Sequence, residues 1–276
     1  MVRPEALAAL RPAAFRPRGL GQHLRNWVTL HRQRYPLGVK PGWRGNRGWS
    51  VQQAFKLAAA RFGESDFLLI LDAKNHLVRP ASVGSFVSAG GRARSYLSAP
   101  NAKRQSWIDA SFARLGLDPP RPGTPAPPTV TPVCIARDVL RECLDDIEAR
   151  VGPVEAFFPR RRLFRRKKTH GSEFMLIYAG VTGRHGAWGA CFDDGLVPPA
   201  TIFRNSPAEE IDAVLSRVER DEADFLSVHV SRLETLAPGD RARLERIWAE
   251  RGLAVSGLMP PAAAGPDRAE RSPPHP

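Results

Sequence analysis

The sequence predicts a layered α/β domain. Apolar residues recur at helical spacing in several segments, short apolar runs bounded by Gly, Asp or Pro lie between them, and the composition is globular. Hydrophobic residues make up 42% of the chain and charged residues 25%, a balance that can close a core.

Along the chain, residues 49–62 place Val51, Ala54, Phe55, Ala58 and Phe62 on one helical face, with Ser50 as the expected cap. Phe67–Leu71 is a continuous apolar run after Gly63 and Asp66, short enough for a strand buried on both faces. Helices are expected at about 103–116 and at 136–150, the latter with Val139, Leu140, Cys143, Leu144 and Ile147 inward. Another helix begins at Ser172, and one at 207–219 precedes a strand over Asp224–Val230. In that strand Leu226, Val228 and Val230 share one face, and Ser227 and His229 the other. A last helix is expected over about 238–252, and one short N-terminal strand at Trp27–Leu30.

The chain has 276 residues, with 41 Lys and Arg against 28 Asp and Glu, a net charge of +13. No run approaches ~18 apolar residues, which excludes a helical membrane span. Arg11, Arg16 and Arg18 interrupt the N-terminal apolar stretch and leave no secretory core. Three cysteines without CxxC spacing exclude a disulfide scaffold and a thiolate zinc site; a reducing, cytoplasmic setting is expected. Residues 1–63 hold twelve cations and one acid, Glu5, and residues 160–168 hold seven cations in nine positions. Such patches suit phosphates or anionic lipid, with peripheral contact at the inner membrane face, or form a solvated basic face. Residues 119–132 contain seven prolines and are expected to cross the surface in extended form. The expected organisation is an atypical basic segment over 1–44, one domain over 45–258 and a disordered Pro-rich tail over 259–276.

There is no GxxxxGK[ST] loop, strand-linked GxGxxG or GxSxG elbow. The remaining feature is Asp72, directly after the strand of 67–71. A carboxylate there could hold Mg²⁺ or Mn²⁺ against a diphosphate, or satisfy backbone amides as a turn residue. Gln52, Gln53 and Lys56 are expected on the exposed face of the preceding helix, either holding hydroxyls and a phosphate or as an ordinary wet face. Glu173, after a capping Ser172, sits where the helix dipole favours a carboxylate, or takes a proton from an acceptor hydroxyl.

Four blocks then match a known pattern. They are Gly48-Trp49 with Gln52, Gln53, Lys56 and Leu57; Asp66 to His76 with Arg79-Pro80; His170 to Phe174 with Tyr178; and Asp224 to His229. In order and spacing over roughly 45–253, these resemble an uncharacterised bacterial family, a domain of unknown function. That family is similar to GT-A nucleotide-sugar glycosyltransferases and accompanies surface-polysaccharide genes. The resemblance implies a GT-A-like three-layer domain with a mixed, mostly parallel sheet. It implies transfer of a sugar from a nucleotide-sugar donor to a glycan or lipid-linked acceptor. Asp72 and His229 become expected ligands of Mn²⁺ or Mg²⁺, with Gln52, Gln53, Lys56, Lys74 and Asn75 binding substrate and Glu173 catalytic; His229 could instead be a hydrogen-bonded strand residue.

Two departures stand out. Relatives carry Asp-x-Asp at the strand end, whereas Asp72 is followed at the second position by Lys74, a cation able to neutralise phosphate itself. The nucleotide-binding strands expected before Gly48 look shortened or missing. The alternatives are therefore a non-catalytic or truncated member of the family, and a basic nucleic-acid-binding protein. No recognition motif supports specific nucleic-acid binding.

Overall fold

The computed structural model describes residues 48–152, 154 and 171–253. The strand expected at Trp27–Leu30, the basic run 160–168 and the tail 259–276 lie outside the described residues. In chain order the elements are α1 (Gly48–Ala58), β1 (Phe67–Ile70), β2 (Asn75–Leu77), β3 (Ala93–Ser95), α2 (Ala102–Arg114), β4 (Val133–Ala136) and α3 (Arg137–Val151). There follow α4 (Glu173–His185), β5 (Phe192–Asp194), β6 (Ala200–Ile202), α5 (Ala208–Glu219), β7 (Phe225–Val228), α6 (Val230–Leu233) and α7 (Pro238–Glu250).

The fold is α/β with mixed pairing. The sheets are small: β1 pairs antiparallel with β4, β3 pairs parallel with β5, and β7 lies between antiparallel β2 and parallel β6. Parallel and antiparallel pairings are thus equal in number here, not mostly parallel. Strands of three or four residues give each sheet little more than one inward row of side chains.

Residues 45–258 were expected as one domain; the described residues cluster into two compact units. One contains residues up to Leu71 together with Ser82–Leu196, and the other Asp72–Ala81 together with the chain from Val197 onward.

In the first unit the centre is α4, buried at nine consecutive positions, Glu173–Val181. A helix apolar all round has to be enclosed, and α2, α3 and α1 pack on it. Gly180 makes the α3 contact close: a Cβ there would meet Cys143 Sγ at 3.2 Å and Cβ at 3.3 Å. Gly171, before the helix, has φ +32°, and a Cβ on it would run into Ser111. Ser172 caps α4 as expected, its Oγ accepting from Met175 N at 3.3 Å. Leu140, Cys143, Leu144 and Ile147 of α3 are buried, and burial pushes the Cys143 thiol up to about 12. No disulfide links the three cysteines.

Three expectations are corrected here. The run Phe67–Leu71 is not buried on both faces: Leu69 and Leu71 are 39% and 45% exposed, because, among the described residues, Leu68 and Ile70 pack on the core and Leu69 and Leu71 do not. Helix α1 starts at Gly48, so Ser50 lies inside it and is not its cap. The proline-rich stretch is not wholly superficial either. Ala126–Pro128, Thr131 and Pro132 are buried, and Ala126 forms a two-way backbone bridge with Ser98, which draws the segment inward.

The second unit packs one sheet face on α5 and α7. Ala200, Ile202, Leu226 and Val228 meet Ile211, Leu215, Leu244, Ile247 and Trp248 in one core. The strand expected over Asp224–Val230 ends at Val228; Val230 opens α6 and is 65% exposed. Asp224 is buried and ion-paired with Arg79 at 2.5 Å, which ties the segment 72–81 to β7. Among the described residues no helix is long and apolar enough to cross a membrane.

His76 reaches the same core, its ring edge-on to Trp248 at 5.2 Å, and burial lowers its pKa. The unfolded imidazole titrates near ~6.5, the folded one below that. The native state therefore binds fewer protons in this window, and the His76 contribution is complete above the unfolded value and lost as pH falls through the folded one. His76→Phe should keep the ring contact and remove this slope. Between pH 7.5 and 5, its melting temperature should fall less than that of the wild type.

Candidate functional site

The expected site residues fall into two groups, one in each unit. In the first unit, Lys56 of α1 and Glu173 of α4 form an ion pair at 3.1 Å, with side chains only 10% and 7% exposed. The Lys56 ammonium also lies 5.0 Å from the Phe174 ring centroid. Lys56 is thus not on a wet helix face, because the carboxylate at the start of the buried helix draws it inward. Gln52 is exposed as expected. Gln53 is not: it is 1% exposed, and neither its Oε1 nor its Nε2 has a hydrogen-bond partner among the described residues. Leu57 and Ala58, both fully buried, show that the inward face of α1 begins one position earlier than the polar pattern suggested.

In the second unit, Asp72, Lys74, Asn75 and His229 share one end of the three-stranded sheet. The antiparallel register sets Asn75 opposite Ser227 and Leu77 opposite Phe225, so the start of β2 lies beside the end of β7. Asp72 to Asn75 is a tight turn. Asn75 N donates to Asp72 O at 2.9 Å, and Asp72 N donates to Asn75 Oδ1 at 2.6 Å. The other end of that amide donates to Ser227 Oγ at 2.5 Å. Asn75 is thereby fixed across two strands. Lys74 Nζ stands 3.8 Å from Asp72 Oδ2, an ion pair at the outer limit of contact. Asp72 serves as a turn residue, and its carboxylate faces a cation rather than a second carboxylate.

His229 caps the short helix α6. Its Nδ1 accepts from Ser231 N at 3.3 Å and lies 2.8 Å from Ser231 Oγ. An Nδ1 that accepts a backbone N–H carries no proton, so the neutral ring holds its proton on Nε2 and presents a donor there. A ring that ligates a metal through Nε2 has the opposite arrangement, donating through Nδ1. Burial, then the Lys74 and Arg204 cations, lower the His229 pKa and keep the ring neutral. Among the described residues no three His, Cys, Asp or Glu side chains gather to hold a metal. Asp72 could serve a hard cation only in the Mg²⁺ manner, with most ligands from phosphate and water.

Two residues that sequence patterning passed over, Thr201 and Arg204, belong to this edge together with Ser227. Ser227 is fully buried and takes the Asn75 hydrogen bond. Thr201, level with Ser227 in β6, is 7% exposed, and its Oγ1 has no partner among the described residues. Arg204 follows β6 in the turn closed by Phe203 N donating to Ser206 Oγ at 2.9 Å. A cation directly after an apolar three-residue strand was the available signal for Arg204; a three-residue strand shows no alternation by which to find Thr201.

The chain belongs to a family of unknown function, DUF6492, whose model matches residues 32–194. The match takes in Lys56, Asp72, Lys74, Asn75 and Glu173, and ends before β6. No curated protein matches the sequence.

The Lys56–Glu173 pair gives a stability test. Removing one member of a buried ion pair strands the other and costs about 3–5 kcal/mol, whereas replacing both with apolar groups is close to neutral. Lys56→Met should lower guanidinium-measured stability by about that amount, and Lys56→Met with Glu173→Leu should restore most of it.

Proposed function

We propose that the protein transfers a sugar from a nucleotide-sugar to a glycan or lipid-linked acceptor, on a GT-A-like domain working at the cytoplasmic side of surface-polysaccharide synthesis. The observation that carries this reading is the polar edge of the three-stranded sheet. There the Asn75–Ser227 hydrogen bond, flanked by Asp72, Lys74 and His229, occupies the carboxyl end of the parallel pair β6 and β7. Ligands of open α/β sheets bind at such ends. A diphosphate leaving group needs its developing charge neutralised, and fixed donors and cations supply that without rearrangement.

In this reading Asp72 faces the diphosphate, alone or through Mn²⁺ or Mg²⁺, and Lys74 adds compensating charge. Asn75 orients a sugar or ribose hydroxyl. Glu173, held by Lys56 in the interior of its own unit, is assigned the task of fixing α1 to α4 and no proton transfer. Gln53 is assigned no contact with substrate.

A second reading, a member that keeps the scaffold without catalysis, is favoured by the Asp72–Lys74 ion pair standing where the Asp-x-Asp of many relatives places two carboxylates. One experiment divides the two. UDP or GDP should raise the melting temperature of the folded full chain, since a ligand selective for the native state stabilises it by about 2.7 kcal/mol at 100 times Kd. Nucleotide-sugars should then release nucleoside diphosphate when acceptor glycans are added. Asp72→Ala should abolish the shift if a metal carries the diphosphate; if Lys74 binds it directly, the shift should survive chelation and be lost in Lys74→Glu. No shift with any nucleotide or divalent ion, from protein shown to be folded, would sink the transferase reading.

A further inference from the structure

We propose that the carboxyl end of β6 and β7 is a metal-independent phosphate subsite, built from the Arg204 guanidinium, the Lys74 ammonium and the Nε2–H of His229. It rests on the strand edge used above but does not need a nucleotide or a transfer step. The chemistry recognised is a phosphate or diphosphate group.

Four observations converge. First, the register brings the three groups to one edge. His229 N donates to Ile202 O at 3.0 Å, which extends the β6–β7 ladder by one step and sets His229 level with Phe203, next to Arg204. The Asn75–Ser227 pair then sets Lys74 at the same end from the other side. Second, the Ser231 cap on Nδ1 leaves Nε2 protonated, a donor suited to an oxyanion and unsuited to a cation.

Third, Arg204 is exceptional in its unit. Every other described arginine there is engaged by a carboxylate or a carbonyl: Arg243 holds Asp212 and Glu219, Arg79 holds Asp224, and the rest are bound likewise. Arg204, exposed, has no hydrogen bond or ion pair among the described residues. An unoccupied guanidinium beside a neutral, donating imidazole and a loosely paired ammonium offers planar bidentate recognition of phosphate. Fourth, Thr201 Oγ1 lies on the same sheet face, one row in from Phe203, buried and without a partner among the described residues. Phe203, 44% exposed, stands at the rim as an apolar surface on which the rest of a phosphorylated ligand can lie.

The test uses the full chain, inorganic pyrophosphate and UDP in titration calorimetry, with EDTA present and then with Mn²⁺. Pyrophosphate should bind in EDTA. Arg204→Gln and Lys74→Gln should each weaken it about tenfold, the loss of one charge-assisted contact. Arg141→Gln, an exposed arginine on α3 of the other unit, changes the net charge equally and should alter affinity less than twofold. Circular dichroism melts confirm that all three variants fold. Equal losses in all three would overturn the proposal in favour of diffuse attraction to a chain of net charge +13. Absence of pyrophosphate binding in EDTA would also overturn it, and UDP binding that appears only with Mn²⁺ would then leave the transferase reading standing. Pyrophosphate bound in EDTA with the expected losses, and UDP no tighter, would support the subsite and remove the nucleotide donor.

Discussion

A carboxylate at the head of a helix enclosed over its first nine residues is the constraint around which the first unit is arranged. Helix α4 is buried on every side for nine residues, so nothing on its flanks there can be left to water. Its first residue, Glu173, is charged and nearly as buried as the rest. The helix dipole favours the charge but does not repay its desolvation. A cation has to come in from another element, and α1 supplies Lys56. That requirement fixes the rotation of α1 about its axis, so Leu57 and Ala58 turn inward and Gln53 is carried with them. Gly171 and Gly180 answer the same crowding, one allowing the chain to enter the helix over Ser111 and the other allowing α3 to approach.

In the second unit the organising element is an amide. Asn75 closes its own turn through Oδ1 and crosses to β7 through Nδ2. Its neighbours Asp72 and Lys74 are therefore held at defined positions on a rigid edge, although they lie in a turn. The same edge receives a histidine whose tautomer is set by a two-residue cap. A site assembled this way is weighted toward donors. Among the described residues one carboxylate, Asp72, stands with Lys74, Arg204 and the imidazole, and such a set suits an anion better than a protein-held cation.

The longer helices were legible because each runs for three or more turns, long enough for a 3.6-residue period to emerge; the four residues of α6 were not. The capped start at Ser172 and the inward stripe of α3 were readable for that reason. The strands were legible only where an apolar run marked them, at Phe67 and Phe225. Three residues at Asn75, Ala93, Phe192 or Ala200 contain less than two periods of alternation and carry no usable pattern. The site was half legible. The turn at Asp72 and the strand-end His229 could be found from local order, but the Lys56 partner is 117 positions away. Polar residues at 52, 53 and 56 resemble a solvated face until that partner is known. Gln53 misled for a different reason: an amide without a partner in the interior breaks the rule from which burial is inferred.

The sheet of the second unit also sets a schedule for the newborn chain. Its middle strand, β7, comes last in sequence, and the Asn75–Ser227 bond spans 152 positions. At ribosomal speeds of 5–20 residues per second, β2 waits roughly 8–30 s for the strand that covers it. Through that interval His76, Leu77 and Val78 form a short apolar segment with an open edge, while residues 82–196 can already be folding. The flanking charges Asp72, Lys74 and Arg79 then act as guards, since charged neighbours discourage pairing with another chain. The residues that shape the mature edge are, during synthesis, the ones that keep it solitary.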